Sequence, residues 1–177
     1  MADNKTKQQV SDMTITYQPI GIVHSTHTVS DDTPIQAIFD DSRGTIEVFE
    51  EYLEGLLDIE TFSHLILLYH FDRAQGVELV RKPFLDETCD HGIFSIRHFN
   101  RPNPIGFSIV RLLFVHGPYL EITEVDILDG TPILDIKPYV YHFDHRDEVL
   151  NGWVDKTQAN GNAGQCITPK SLHNEQK

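Results

Sequence analysis

From Met13 onward the chain alternates short apolar runs with turn residues. The runs are ITYQPIGIVHS (15–25), TIEVFE (45–50), HLILLYHF (64–71), GVELVRKPF (76–84), GIFSIRHF (92–99), FSIVRLLFVHG (107–117) and YLEITEVDIL (119–128), each rich in β-branched and aromatic residues. Seven such runs in one small domain predict a mainly all-β unit, a closed barrel or sandwich. One segment reads as helix. In EYLEGLLDIETF the apolar residues Tyr52, Leu53, Leu56 and Leu57 recur at i, i+1, i+4 and i+5 with the acids facing away, so it is expected to cap one barrel opening.

The last of these runs carries a phase error. Its apolar positions go Leu120, Ile122 and then Val125, Ile127, so strict alternation breaks at Thr123 and Glu124. A β-bulge there is the simplest remedy, and it would aim Asp126. In RPNPIG, Pro102 and Pro104 fix φ and push Arg101 and Asn103 into extended conformations. DGTP and DIKP repeat the theme: Asp at a turn, Gly130 free to take φ > 0, and Pro132 and Pro138 barring a helix. Three proline-locked loops carry Arg97, Arg101, Asn103, Asp126, Asp129, Asp135 and Lys137, more polar chemistry than tight barrel connections need.

The flanks differ from this unit. Residues 1–12 are polar and read as a tail, residues 13–145 form the compact domain, and 146–177 read as a polar extension in which Val149, Leu150, Trp153 and Val154 are apolar enough to dock back. With 177 residues, 40% hydrophobic and 23% charged, the composition is that of one globular domain with tails. No run has the length of a membrane span and the first residues lack the apolar core of a signal peptide, so the expected location is cytoplasmic with no membrane partner. Cys89 and Cys166 are far apart in sequence and read as plain thiols.

The net charge of -13 argues against a nucleic-acid partner until its distribution is read. Residues 31–62 hold ten acids and one base, Arg43, which leaves the other 145 residues at only -4. A near-neutral or basic face can therefore form from Arg73, Arg81, Lys82, Arg97, Arg101, Arg111, Lys137 and Arg146.

Several chemistries lack their signatures. No Gly-rich turn follows a strand and opens a helix, so the nucleotide-binding fold of most methyltransferases is not written here, nor is a P-loop or a G-x-S-x-G elbow. His24 with His27, and His142 with His145, are spaced by three, but neither pair lies on a helical segment with an acidic or Cys partner at a familiar offset. No metal is expected.

On the strings PIGIVHS, TPIQ, LEGLLDIETFSHLILLYHF, GIFSIRHFNRPNPIGFS and VDILDGTPILDIKPY, the chain resembles the TrmO family, also called TsaA-like. The resemblance implies a single-sheeted antiparallel β-barrel acting as a homodimer, with S-adenosyl-L-methionine held by loops near the subunit interface. The implied reaction is methyl transfer to N6 of threonylcarbamoyl-adenosine beside the tRNA anticodon. Carried over by position, cofactor contacts are expected from Pro34, Gln36, Asp72, Arg73, Arg97, Phe107, Asp126, Ile127, Leu128 and Asp129. That set suits a ligand with a ribose diol, an ammonium and a carboxylate. For the acceptor base and its proton the candidates are Asp135 and Tyr139, with Lys137, Arg101 and Asn103 gripping a phosphate or the threonylcarbamoyl carboxylate. The alternatives are another small-molecule or nucleotide acceptor, and a non-catalytic role in which the cofactor only signals.

Overall fold

In a computed structural model of the chain, which describes residues 13–37, 41–86 and 88–155, six antiparallel strands close into a barrel. They are β1 (Gly21–Ser25), β2 (Arg43–Val48), β3 (His64–His70), β6 (Ile105–His116), β7 (Tyr119–Thr123) and β8 (Pro132–Pro138), in the spatial order β1-β2-β7-β6-β3-β8 and back to β1. Alternation sets the inside. Leu65, Leu67 and Tyr69 of β3 face the core while Ile66 and Leu68 face outward. They meet Val23, Ile46, Val48, Val110, Leu120, Ile122, Val125, Ile127 and Ile133 in one apolar cluster. Twelve-residue β6 serves two neighbours, pairing β3 through its first half and β7 through its second, and its register shifts between Leu112 and Phe114. Such a bulge bends the strand and helps a small barrel close.

Four expectations change in the structure. The runs 76–84 and 92–99 give only two-residue strands, β4 (Val80–Arg81) and β5 (His91–Gly92), which pair with each other outside the barrel. The phase error after β7 is resolved by ending the strand at Thr123, where Glu124 takes a left-handed φ of 63°. That single residue resets the alternation so that Val125 and Ile127 enter the core with Asp126 between them. The DIKP segment is strand, because Pro132 and Pro138 stand at the two ends of β8, where a missing N–H is tolerated.

The fourth change is the capping segment, which winds as 3-10 turns at Glu50–Leu56 and Ile59–Thr61. With three residues per turn, Leu53, Leu56, Ile59 and Phe62 share the face packed on the core, and Leu57 falls on the solvent side, 83% exposed. Asp58, at φ 66°, breaks the winding between the two pieces. A short helix, α1 (Tyr141–Asp144), follows β8. Beyond it Val149 and Leu150 stay exposed, but Trp153 docks back: its indole N–H donates to the Ser95 carbonyl at 2.9 Å and its ring stacks on His91 at 4.6 Å. The residues 1–12 and 156–177, with Cys166, lie outside the described residues. Among the described residues no helix is long and apolar enough to cross a membrane.

Candidate functional site

The strand register places the site. Ser25 pairs with Gly44, Arg43 with Thr123, His70 with Ile105, and Ile22 with Pro132, so the last residues of β1, β3 and β7 and the first of β2, β6 and β8 share one end of the barrel. The 3-10 cap closes the other end. Around the first end the 28–37 loop, the chain after β3, the 97–101 segment, the start of β6 and the 126–128 segment enclose a cavity of about 840 Å3. That volume is toward the upper end of the roughly 300–1,000 Å3 typical of small-molecule sites.

Nine of the ten expected cofactor residues line this cavity: Pro34, Gln36, Asp72, Arg73, Arg97, Phe107, Asp126, Ile127 and Leu128. The tenth, Asp129, sits beside it. Its backbone carbonyl accepts from Arg73 Nη2 at 2.6 Å, and its carboxylate accepts the Ser25 N–H at 3.1 Å. At Gly130, φ is +78°, the left-handed conformation expected of the DGTP turn.

A polar network runs from the cavity wall into the core. Arg97 Nη1 donates to Gln36 Oε1 at 2.6 Å and its guanidinium lies 5.7 Å from the centre of the Phe107 ring. Asp126 accepts from Ser108 Oγ at 2.6 Å and from the Ala37 N–H at 2.9 Å. Ser108 Oγ is in turn 3.0 Å from the Tyr69 hydroxyl. When Asp126 is ionised the single Ser108 proton points to it, so Tyr69 donates to Ser108 and the chain of donors ends on the carboxylate. Burial pushes the Asp126 carboxyl up to about 6, against the hydrogen bonds from Ser108 and Ala37 and the charge of Arg97, which favour the anion. Burial, and then the charge of Asp126, push the Tyr69 hydroxyl far above the ordinary phenol range.

A second network stands on other walls of the same cavity. Arg81 Nη1 faces Glu78 Oε1 at 3.4 Å and His98 Nδ1 at 3.3 Å, and Asn100 donates its backbone N–H to His98 Nδ1 at 3.0 Å and its amide to Glu78 at 3.1 Å. With two donors on Nδ1, the His98 proton resides on Nε2. Burial, and then the charge of Arg81, pull His98 down to about 4, so the ring is neutral at physiological pH.

The residues expected to serve the acceptor are spread out. Arg101 lines the cavity, and Asn103 lies in the loop leading into β6 at the same end. Asp135 and Lys137 are opposite the outward-facing Leu68 and Ile66, on the outer wall, where they form a 2.6 Å surface ion pair. Tyr139 is at the far end, its N–H bonded to the His64 carbonyl. Sequence reasoning missed Tyr69, Ser108 and His98. Ser108 alone left a signal, a polar residue at an inward position of β6 between Gly106 and Val110.

The architecture defines a class, small closed barrels with a nucleoside-sized pocket at one mouth whose walls are connecting segments. Comparison with known proteins makes this specific: residues 22–145 match the tRNA-methyltransferase O N-terminal domain, and the chain belongs to that family. It is 54% identical over 143 residues to a probable S-adenosyl-L-methionine-binding protein of Pyrococcus abyssi, covering 80% of this chain and 77% of that one. It is 31% identical to the human tRNA (adenine(37)-N6)-methyltransferase over 78% of this chain but 33% of that protein. A crystal structure of TrmO from Pseudomonas aeruginosa superposes with a TM-score of 0.68 at 31% identity, covering 93% of this chain and 80% of that one.

Proposed function

We propose that the chain is an S-adenosyl-L-methionine-dependent methyltransferase that acts on N6 of a modified adenosine, threonylcarbamoyl-adenosine, beside a tRNA anticodon. The observation that carries this reading is the convergence of Gln36, Arg97, Phe107 and Asp126 on one cavity in a chain of this family. The donor set supports this reading: an arginine such as Arg97 can pair with a carboxylate, Asp126 can accept from an ammonium or a ribose hydroxyl, and the Phe107 ring offers a face that tolerates a sulfonium. Bound there, the cofactor supplies an electrophilic methyl group. The protein's part is then to hold the acceptor nitrogen roughly 3–3.5 Å from that carbon and in line with the leaving sulfur.

The reading includes a homodimer. Val77, Leu79, Val80 and Phe94, on and around the β4–β5 hairpin, are exposed apolar side chains on one small element, a surface suited to a second copy. Asp135, Lys137 and Tyr139 lie outside their own cavity, so to serve the acceptor they must meet one held by the partner subunit. Mixing inactive Arg97→Ala chains with inactive Lys137→Ala chains restores activity in hybrids if this is right.

A second reading is a protein that binds the cofactor and acts on another acceptor or on none. It is favoured by one fact: the Pyrococcus abyssi relative, of which this chain spans most, is named for binding, whereas the human methyltransferase is about three times longer than the shared region. Incubation with methyl-labelled cofactor and tRNA with or without the threonylcarbamoyl group separates the two. Label on the modified tRNA alone supports the first, and tight cofactor binding without transfer to either tRNA defeats it.

A further inference from the structure

The cavity contains more recognition chemistry than the cofactor needs. Beyond the Gln36–Arg97–Asp126 network, it is walled by three phenylalanines, Phe71, Phe84 and Phe99, and by the Glu78–Arg81–His98–Asn100 network. The rings give flat apolar faces suited to a nucleobase. Arg81 lies across one of them, its guanidinium carbon 6.0 Å from the Phe84 centroid.

Arg81 is a prearranged cation with donors to spare. Its side chain is 23% exposed, against 49% for Arg73, so it is withdrawn from solvent. Nη1 is taken up by Glu78 and His98, and Nε points at the Lys82 carbonyl at 3.4 Å. Nη2 has no partner among the described residues. Because His98 is neutral and accepts through Nδ1, it holds the guanidinium without cancelling its charge. Glu78 balances part of that charge through a single long contact. A withdrawn guanidinium of this kind, with a free edge beside aromatic walls, suits a planar anion carried on a base; backbone phosphates stay at the mouth in reach of Arg73.

We propose that the Phe84–Phe99 side of the cavity is the acceptor-base subsite and that Arg81, positioned by His98, pairs with a carboxylate borne on the acceptor base itself. This deepens the methyltransferase reading and rests on it. It makes Arg81 the residue that separates a carboxylate-bearing adenine from a plain one, and His98 a positioning residue that acts through Arg81.

The test is calorimetry on the full chain saturated with S-adenosylhomocysteine, titrated with threonylcarbamoyl-adenosine and with its neutral methyl ester. Wild type binds the acid about tenfold or more tighter than the ester, the size of effect a charged hydrogen bond gives. Arg81→Gln loses that preference and Arg81→Lys, which keeps the charge without the planar fork, retains only part of it, while both keep the wild-type affinity for S-adenosylhomocysteine, which also reports that they are folded. His98→Phe loses it too, and His98→Asn, which keeps an acceptor near the Nδ1 position, retains it. An acid-over-ester preference that survives in Arg81→Gln overturns the assignment of Arg81 and leaves the methyltransferase reading standing. Wild type that binds neither compound overturns the subsite, and absence of transfer to modified tRNA in the labelling assay then removes the broader reading as well.

Discussion

Ser108 Oγ donates to Asp126 Oδ1 at 2.6 Å, and this bond joins the barrel's core to its cavity. The serine is on the inward face of β6, buried among apolar side chains, while the carboxylate opens toward the site. Ser108→Ala removes the donor to Asp126 and the acceptor for Tyr69 together. The expected cost is about 1–3 kcal/mol at pH 7, the penalty of leaving buried polar groups unpaired. Because that hydrogen bond favours the anion, the Asp126 carboxyl should also titrate higher, moving the pH dependence of cofactor binding upward. Urea denaturation and binding measured across pH 5–8 check both, and unchanged midpoints in each would show that the bond neither stabilises the fold nor tunes Asp126.

Two buried groups act on acid stability with opposite signs. Asp126 is raised to about 6 in the fold, so the native state takes up a proton before the unfolded chain does, and the stability from this group, full below about 4, is lost as pH rises through 6. His98 is lowered to about 4, so the unfolded chain takes up a proton first, and its stability, present above about 6.5, is lost as pH falls through 4. Each effect is on the order of 3 kcal/mol or less, and the two windows overlap, so they oppose each other. Asp126→Asn should therefore unmask His98 and give a protein that weakens steadily between pH 6.5 and 4, whereas His98→Gln should strengthen over the same interval. Parallel slopes for both variants would show that other groups control the acid limb.

Gly106 is required by contact. A Cβ there would lie 2.1 Å from the Tyr69 ring, closer than any packing tolerates, so Gly106→Ala must displace the ring that bonds Ser108. A loss of roughly 1–3 kcal/mol or more is expected, together with weaker cofactor binding. Gly92→Ala, where a Cβ meets nothing within 4 Å, is the matched control and should be near neutral.

The barrel strands were readable because apolar alternation is local, and the phase slip at Thr123–Glu124 correctly marked the place where Asp126 turns toward the site. Gly130 was readable because DGTP states its own turn chemistry. The capping segment was misread as an α-helix because Leu53 and Leu56 fit periods of 3.0 and 3.6 alike, and the exposure of Leu57 tells them apart. DIKP was misread because proline rules out a helix without ruling out the ends of a strand. The Arg81–His98 network was invisible, since residues 17 apart meet only through the β4–β5 hairpin, whose two-residue strands leave almost no periodicity.

Asp129 is predicted to act on the cofactor through backbone order as well as charge. Its carboxylate holds the Ser25 N–H, its own N–H donates to the His27 carbonyl at 2.7 Å, and its carbonyl fixes Arg73. Asp129→Ala should weaken cofactor binding by about tenfold, the value of a charged hydrogen bond. Asp135→Ala, which breaks a solvent-exposed pair on the outer wall, should leave binding unchanged and stability within about 1 kcal/mol. Equal cofactor affinity for wild type and Asp129→Ala in calorimetry would overturn the first assignment.

Trp153 is the chain's only tryptophan, so its fluorescence reports on one contact without background. The indole ring lies 24° from parallel over His91 and donates to the Ser95 carbonyl, which ties the segment after α1 to the β4–β5 hairpin beside the cavity. An aromatic stack of this kind contributes about 0.5–1.5 kcal/mol beyond the area it buries. His91→Ala removes the stack and keeps the backbone acceptor. The segment should then spend more time undocked, with emission moved to longer wavelength and iodide quenching increased toward that of a free indole. Since the hairpin carries Arg81, the acid-over-ester preference of the acceptor site should weaken in parallel. Emission and quenching that match wild type would mean the single N–H···O bond holds the segment and the stack contributes nothing.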